Sequence, residues 1–176
     1  LAIAPAAEAG AELARWDAGE VAPAGFPAAR LLALAADGRR DLAIAAIELW
    51  LERHPTAGSA DAYALLGELY FEGAAAVPSK VDGTEYIRGA ARAAKTALAL
   101  DPGAPLALLN LGTIETLSAL IAGQDPARGA GRVEAALASG ALDRAQRRRA
   151  RFALAKAHQA AFRPAEADRQ LRGLLP

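Results

Sequence analysis

Tyr63-Ala64-Leu65-Leu66-Gly67-Glu68-Leu69-Tyr70, with its shorter echo Leu108-Leu109-Asn110-Leu111-Gly112, decides the fold. Tyr63, Leu66, Gly67 and Tyr70 recur at spacings of three and four, the period of one helix face. Glycine inside a helix costs about 1 kcal/mol relative to alanine. Its repetition beside a leucine therefore asks for a packing reason, a close approach of two helices. Ala90, Ala94 and Ala97 follow as a small-residue face, and Asp101-Pro102 stops that helix. The second stretch then begins at once. Each unit is a helical hairpin that cannot bury its apolar face alone, so units stack.

Composition agrees with packed helices. The 176 residues are 53% hydrophobic but only 5% aromatic, and alanine, the best helix former, dominates them. There is no cysteine, which removes disulfides, thiolate metal sites and a cysteine nucleophile. No apolar run reaches the roughly 18 residues of a membrane span. Residues 1–10 lack the basic start and long apolar centre of a signal peptide. The chain begins without Met, so cytoplasmic and periplasmic or secreted origins both stay open.

About nine helices are expected, over residues 5–18, 27–37, 41–54, 60–73, 84–100, 105–122, 126–138, 143–162 and 164–175. Asp41, Ser59 and Asp143 read as N-caps, and Asp37-Gly38, His54-Pro55, Gly73 and Gly123 as stops. Residues 74–83, with Val77-Pro78-Ser79, read as a long connection, a place where specificity often lies. Gly129 and Gly131 weaken the helix over 126–138. Trp16, Trp50, Tyr63, Tyr70 and Phe162 read as core or inter-repeat packing. The whole forms a single domain: a capping helix and linker over 1–25, the best repeats over 26–122, and a degenerate repeat with capping helices over 123–176.

These residues resemble the tetratricopeptide repeat, a helix-turn-helix unit of about 34 residues. Tyr63, Leu66, Gly67, Tyr70, Ala90, Ala94, Ala97, Asp101 and Pro102 carry the likeness. Leu34, Gly38, Ala43, Ile47, Trp50 and Pro55 match a preceding unit, and Leu108, Asn110, Leu111 and Gly112 open a following one. Leu154, Ala155, Ala167, Leu171 and Leu174 suggest a last. About 11 extra residues between Tyr70 and Ala90, with Gly73 and Val77-Pro78, are similar to the Sel1-type repeat, whose hairpin loop is longer. The resemblance implies an all-α superhelix with a concave groove that binds protein or peptide.

Projected onto this chain, the groove positions are Asp61, Glu68, Phe71 and Glu72 in one unit. The next supplies Leu106, Leu109, Asn110, Thr113 and Thr116, and the last Arg149, Phe152, Lys156 and Gln159. Asn110 reads equally as a ligand contact or an inter-helix hydrogen bond. The resemblance's set for gripping a free peptide C-terminus is absent, since Leu65 and Ala153 stand at the matching positions. Phe71, beside a core tyrosine, is the best aromatic candidate for a partner.

Net charge is zero, yet residues 126–176 hold 11 Lys/Arg against 4 Asp/Glu and residues 1–125 hold 9 against 16. Arg144, Arg148 and Arg151 share one helix face, opposite Ala150, Leu154, Ala157 and Ala161. That stripe reads as a solvated face or as a docking patch for an acidic partner, including the acidic half of another copy. Zero total charge argues against nucleic acid. His54 is explained by its place in the last turn of a helix. His158 has no Asp, Glu or His three or four residues away, and no phosphate loop, catalytic triad or zinc spacing is present. The expectation is a non-enzymatic scaffold with no cofactor. Its alternative is a periplasmic or lipoprotein-derived accessory subunit of a transporter or envelope complex, binding an apolar small ligand or a partner subunit, motivated by the apolar helix over 105–122.

Overall fold

The computed structural model describes residues 6–18, 26–54 and 59–174. Within them the chain is all-α, with nine helices and no strand. They are α1 (Ala6–Ala18), α2 (Ala28–Ala36), α3 (Arg40–Arg53), α4 (Ala60–Ala76), α5 (Lys80–Leu100), α6 (Pro105–Ile121), α7 (Ala127–Ala138), α8 (Arg144–Ala160) and α9 (Pro164–Arg172). Two compact units result, Leu1–Leu100 and Asp101–Pro176. The Trp16 side chain, Pro55 and the joint over 19–25 lie outside the described residues.

The ends follow from local chemistry. Ser59 Oγ accepts from the Ala62 amide at 3.2 Å, and Asp143 with Gln146 closes a reciprocal capping box on α8. Pro105 and Pro164 open α6 and α9, where a missing N–H costs nothing. Asp41 is not a cap: α3 starts one residue earlier, and the Asp41 carboxylate accepts from the Tyr86 hydroxyl.

The expected long connection over 74–83 is a three-residue turn, Val77-Pro78-Ser79. Helix α4 runs on through Ala74–Ala76, and Ser79 Oγ accepts from the Asp82 amide to start α5. The extra residues thus lengthen both arms of the hairpin.

In the first unit, α1 and α2 pack on α3, α3 on α4, and α4 on α5. Leu31, Ile47, Leu69 and Trp50 fill the core, with Phe26 edge-on to Trp50 at 5.2 Å and His54 stacked on it at 4.8 Å. Arg39 binds Glu8 at 2.8 Å and Glu12 at 3.3 Å, tying α1 to the α2–α3 turn. The α4–α5 seam is reciprocal. The Tyr86 ring covers Gly73, and the Tyr70 ring covers Gly89, where an added Cβ would meet it at 2.9 Å. Both hydroxyls reach α3: Tyr70 donates to Glu48 and Tyr86 to Asp41, each at 2.5 Å.

In the second unit, α6 packs on both α7 and α8, α7 on α8, and α8 on α9. Gly112 performs the role expected of it. A Cβ there would lie 2.8 Å from the Gly129 carbonyl oxygen and 2.9 Å from Val133 Cγ2. Gly129 is the matching half of this crossing, since its own Cβ would meet Gly112 O at 2.7 Å and Thr116 Oγ1 at 2.5 Å. Phe162 departs from expectation. It is 92% exposed and takes φ +54° just beyond α8, while the Arg163 amide bonds back to the His158 carbonyl.

Candidate functional site

Two of the sequence's candidates, Phe71 and the segment over 74–83, meet at one place. An open cleft of about 530 Å³ lies at the turn end of the α4–α5 hairpin, lined by Phe71, Ala74, Ala75, Lys80, Gly83, Thr84, Ile87 and Arg88. It lies where α4 and α5 each run on about a turn further than expected. Gly83 keeps it open on one side: an added methyl there would touch only the Ala74 carbonyl oxygen at 3.5 Å and Val77.

The floor is apolar and the rim is cationic. Arg88 pairs with Glu85 three residues earlier. Lys80 is exposed and has no carboxylate within ion-pair distance among the described residues. Thr84 Oγ1 donates to the Lys80 carbonyl at 2.9 Å, leaving its lone pairs toward solvent. The neighbouring tyrosines are locked as neutral phenols. Burial first, then the hydrogen bond to Asp41, pushes Tyr86 up to about 12, and burial with the bond to Glu48 raises Tyr70 further.

The other expected groove residues sort by exposure. Asp61 is exposed, Glu72 stands 3.6 Å from Arg40 Nε, and Glu68 is buried. Leu106 is half-buried. Leu109, Asn110, Thr113 and Thr116 are buried inside the second unit and offer a partner no surface, because α6 is packed on two helices rather than one. Asn110 Oδ1 accepts from Arg149 Nη2 at 2.7 Å, an inter-helix tie joining two residues expected to act separately. Phe152, Lys156 and Gln159 are exposed on α8, and Lys156 Nζ lies 5.5 Å from the Phe152 ring centre.

No group of three or more His, Asp or Glu among the described residues is placed to hold a metal. No helix among them is long and apolar enough to cross a membrane. Comparison with protein-family models, with curated proteins and with solved structures finds no match.

Proposed function

We infer that the chain is a non-enzymatic scaffold of tetratricopeptide-like helical hairpins that binds a protein or peptide segment, with the α4–α5 cleft as a docking point. The cleft carries this reading: Phe71, Ala74, Ala75 and Ile87 give an apolar seat, and Lys80 flanks it with positive charge while Arg88 is paired with Glu85. Such a seat suits an apolar anchor residue on a partner helix or strand. Seating one aliphatic side chain there contributes about 1.5–3 kcal/mol before ordering costs. The small-residue hairpin seams and the Gly112 crossing support the repeat resemblance.

A second reading comes from the cleft's size. About 530 Å³ lies within the range of small-molecule pockets, roughly 300–1,000 Å³. A compact apolar ligand seated there, as in an accessory subunit of an envelope complex, would keep one side open to solvent.

Selection of displayed random peptides on the full chain tests the first reading. Enriched peptides are expected to share an apolar residue next to a carboxylate. Their binding should be abolished by Thr84→Trp, which fills the cleft from an exposed position, and weakened by Lys80→Glu. Peptide binding indifferent to both substitutions rejects the cleft. Failure of any peptide to enrich, with an apolar dye displaced by Thr84→Trp, favours the small ligand.

A further inference from the structure

Helix α8 carries six cations, Arg144, Arg147, Arg148, Arg149, Arg151 and Lys156, and not one aspartate or glutamate in 17 residues. Three of the six are engaged within the second unit. Arg147 donates to the Leu142 carbonyl, Arg149 to Asn110, and the Arg151 guanidinium lies over Gly173. Arg144, Arg148 and Lys156 are exposed, with no carboxylate within ion-pair distance among the described residues. With Phe152 they form the series 144, 148, 152, 156. At about 1.5 Å per residue this is one stripe roughly 18 Å long.

The unit's own acids are occupied elsewhere. Asp101 accepts from the Gly103 amide, Asp125 from the Ala127 amide, and Asp143 caps α8. Glu115 holds Arg128 and Arg132, and Asp168 holds Arg172. Of seven carboxylates in residues 101–176 only Glu134 and Glu166 remain, and neither pairs with the stripe. Cations four apart on a helix repel by a few tenths of a kcal/mol. The bare stripe is therefore a state that an anionic ligand relieves.

We propose that this stripe docks an acidic polypeptide segment bearing an apolar side chain between its carboxylates. The order cation, cation, aromatic, cation specifies the ligand: negative charge at both ends and one apolar contact over Phe152, which stays 47% exposed. A duplex nucleic acid calls for a broad positive field rather than a single file among seven acids. This surface lies in the second unit and does not depend on the α4–α5 cleft.

The test is fluorescence anisotropy on the full chain at low salt. The probes are a labelled peptide of glutamate and serine, a peptide of equal charge with a central leucine, and a short DNA duplex. The leucine peptide is expected to bind about tenfold more tightly than the plain one, a difference of about 1.4 kcal/mol. Phe152→Ala should erase that difference, and Arg148→Gln with Lys156→Gln should weaken both peptides about tenfold or more, as should added salt. Thr84→Trp should change neither. All three substituted α8 side chains are exposed, and circular dichroism of each variant serves as the check on folding. Absence of peptide binding, an unaltered preference in Phe152→Ala, or tighter binding of the duplex than of either peptide would overturn the proposal.

Discussion

The ring of Tyr86 occupies the volume that a side chain at Gly73 would need, with Cδ1 only 2.5 Å from an ideal Cβ. Helix propensity alone makes Gly73→Ala stabilising by about 1 kcal/mol. Overpacking of a buried seam costs about 1–3 kcal/mol, and displacing Tyr86 also breaks its bond to Asp41, worth about 1 kcal/mol more. The packing terms win. Urea denaturation of Gly73→Ala should show a net loss of about 1–3 kcal/mol, and an unchanged midpoint would refute the seam.

Two glycines in α7 should behave oppositely. Gly131 is exposed with nothing within 4 Å of an added Cβ, so Gly131→Ala should stabilise by about 0.5–1 kcal/mol. Gly129→Ala drives a methyl into Gly112 and Thr116 and should destabilise by more than that gain. Melting temperatures moving in the same direction for both variants would contradict the crossing.

Phe162 holds a left-handed backbone conformation that a bulky residue adopts at a cost of about 1–2 kcal/mol. Its side chain is almost wholly exposed, so little packing is lost on removing it. Phe162→Gly should therefore raise the stability of the second unit by about 1 kcal/mol. A lower melting temperature would mean the ring has a packing role after all.

Alkaline pH should loosen the α3–α4–α5 arrangement. Tyr86 has its pKa raised to about 12 in the folded chain, against an ordinary 10. The unfolded chain gives up that proton first, so the contribution to stability is whole below pH 10 and is lost progressively as pH rises through about 12. Tyr70 shifts in the same direction. Thermal midpoints measured from pH 8 to 11 should fall less steeply in Tyr86→Phe than in the parent chain.

The Arg149–Asn110 contact joins α8 to α6 through a fully buried amide. A double-mutant cycle with Asn110→Ala and Arg149→Ala should give a coupling of about 1.5–3 kcal/mol, the range of a hydrogen bond to a charged group. Coupling near zero would assign the contact no energetic weight.

The helices were legible because Gly, Pro and capping residues punctuate an alanine-rich chain, and most ends fall within two or three residues of expectation. The segment over 74–83 departs from the expected long connection because Val77-Pro78-Ser79 interrupts the helices over three residues only. Pro78 forbids helix only around itself, Ala74–Ala76 continue α4 without penalty, and a first-turn glycine is tolerated in α5. Leu109, Asn110 and Thr113 were placed in a groove because a two-helix repeat gives each helix one buried face. Packing of α6 between α7 and α8 gives it two, and no local spacing announces that. Gly129 had a readable signal: Gly112 and Thr116, one turn apart, present a small-residue face that wants a small partner. Phe71, singled out for its position beside Tyr70, lines the α4–α5 cleft.

Where α6 meets α7, main chain lies against main chain, each glycine's α-carbon beneath the other's carbonyl. An apolar side-chain contact can be retuned by exchanging one residue for a neighbour in size. This one admits no smaller alternative, so mutational drift there runs in a single direction, toward separation. The pair is the fixed pivot around which the rest of the unit's sequence is free to wander.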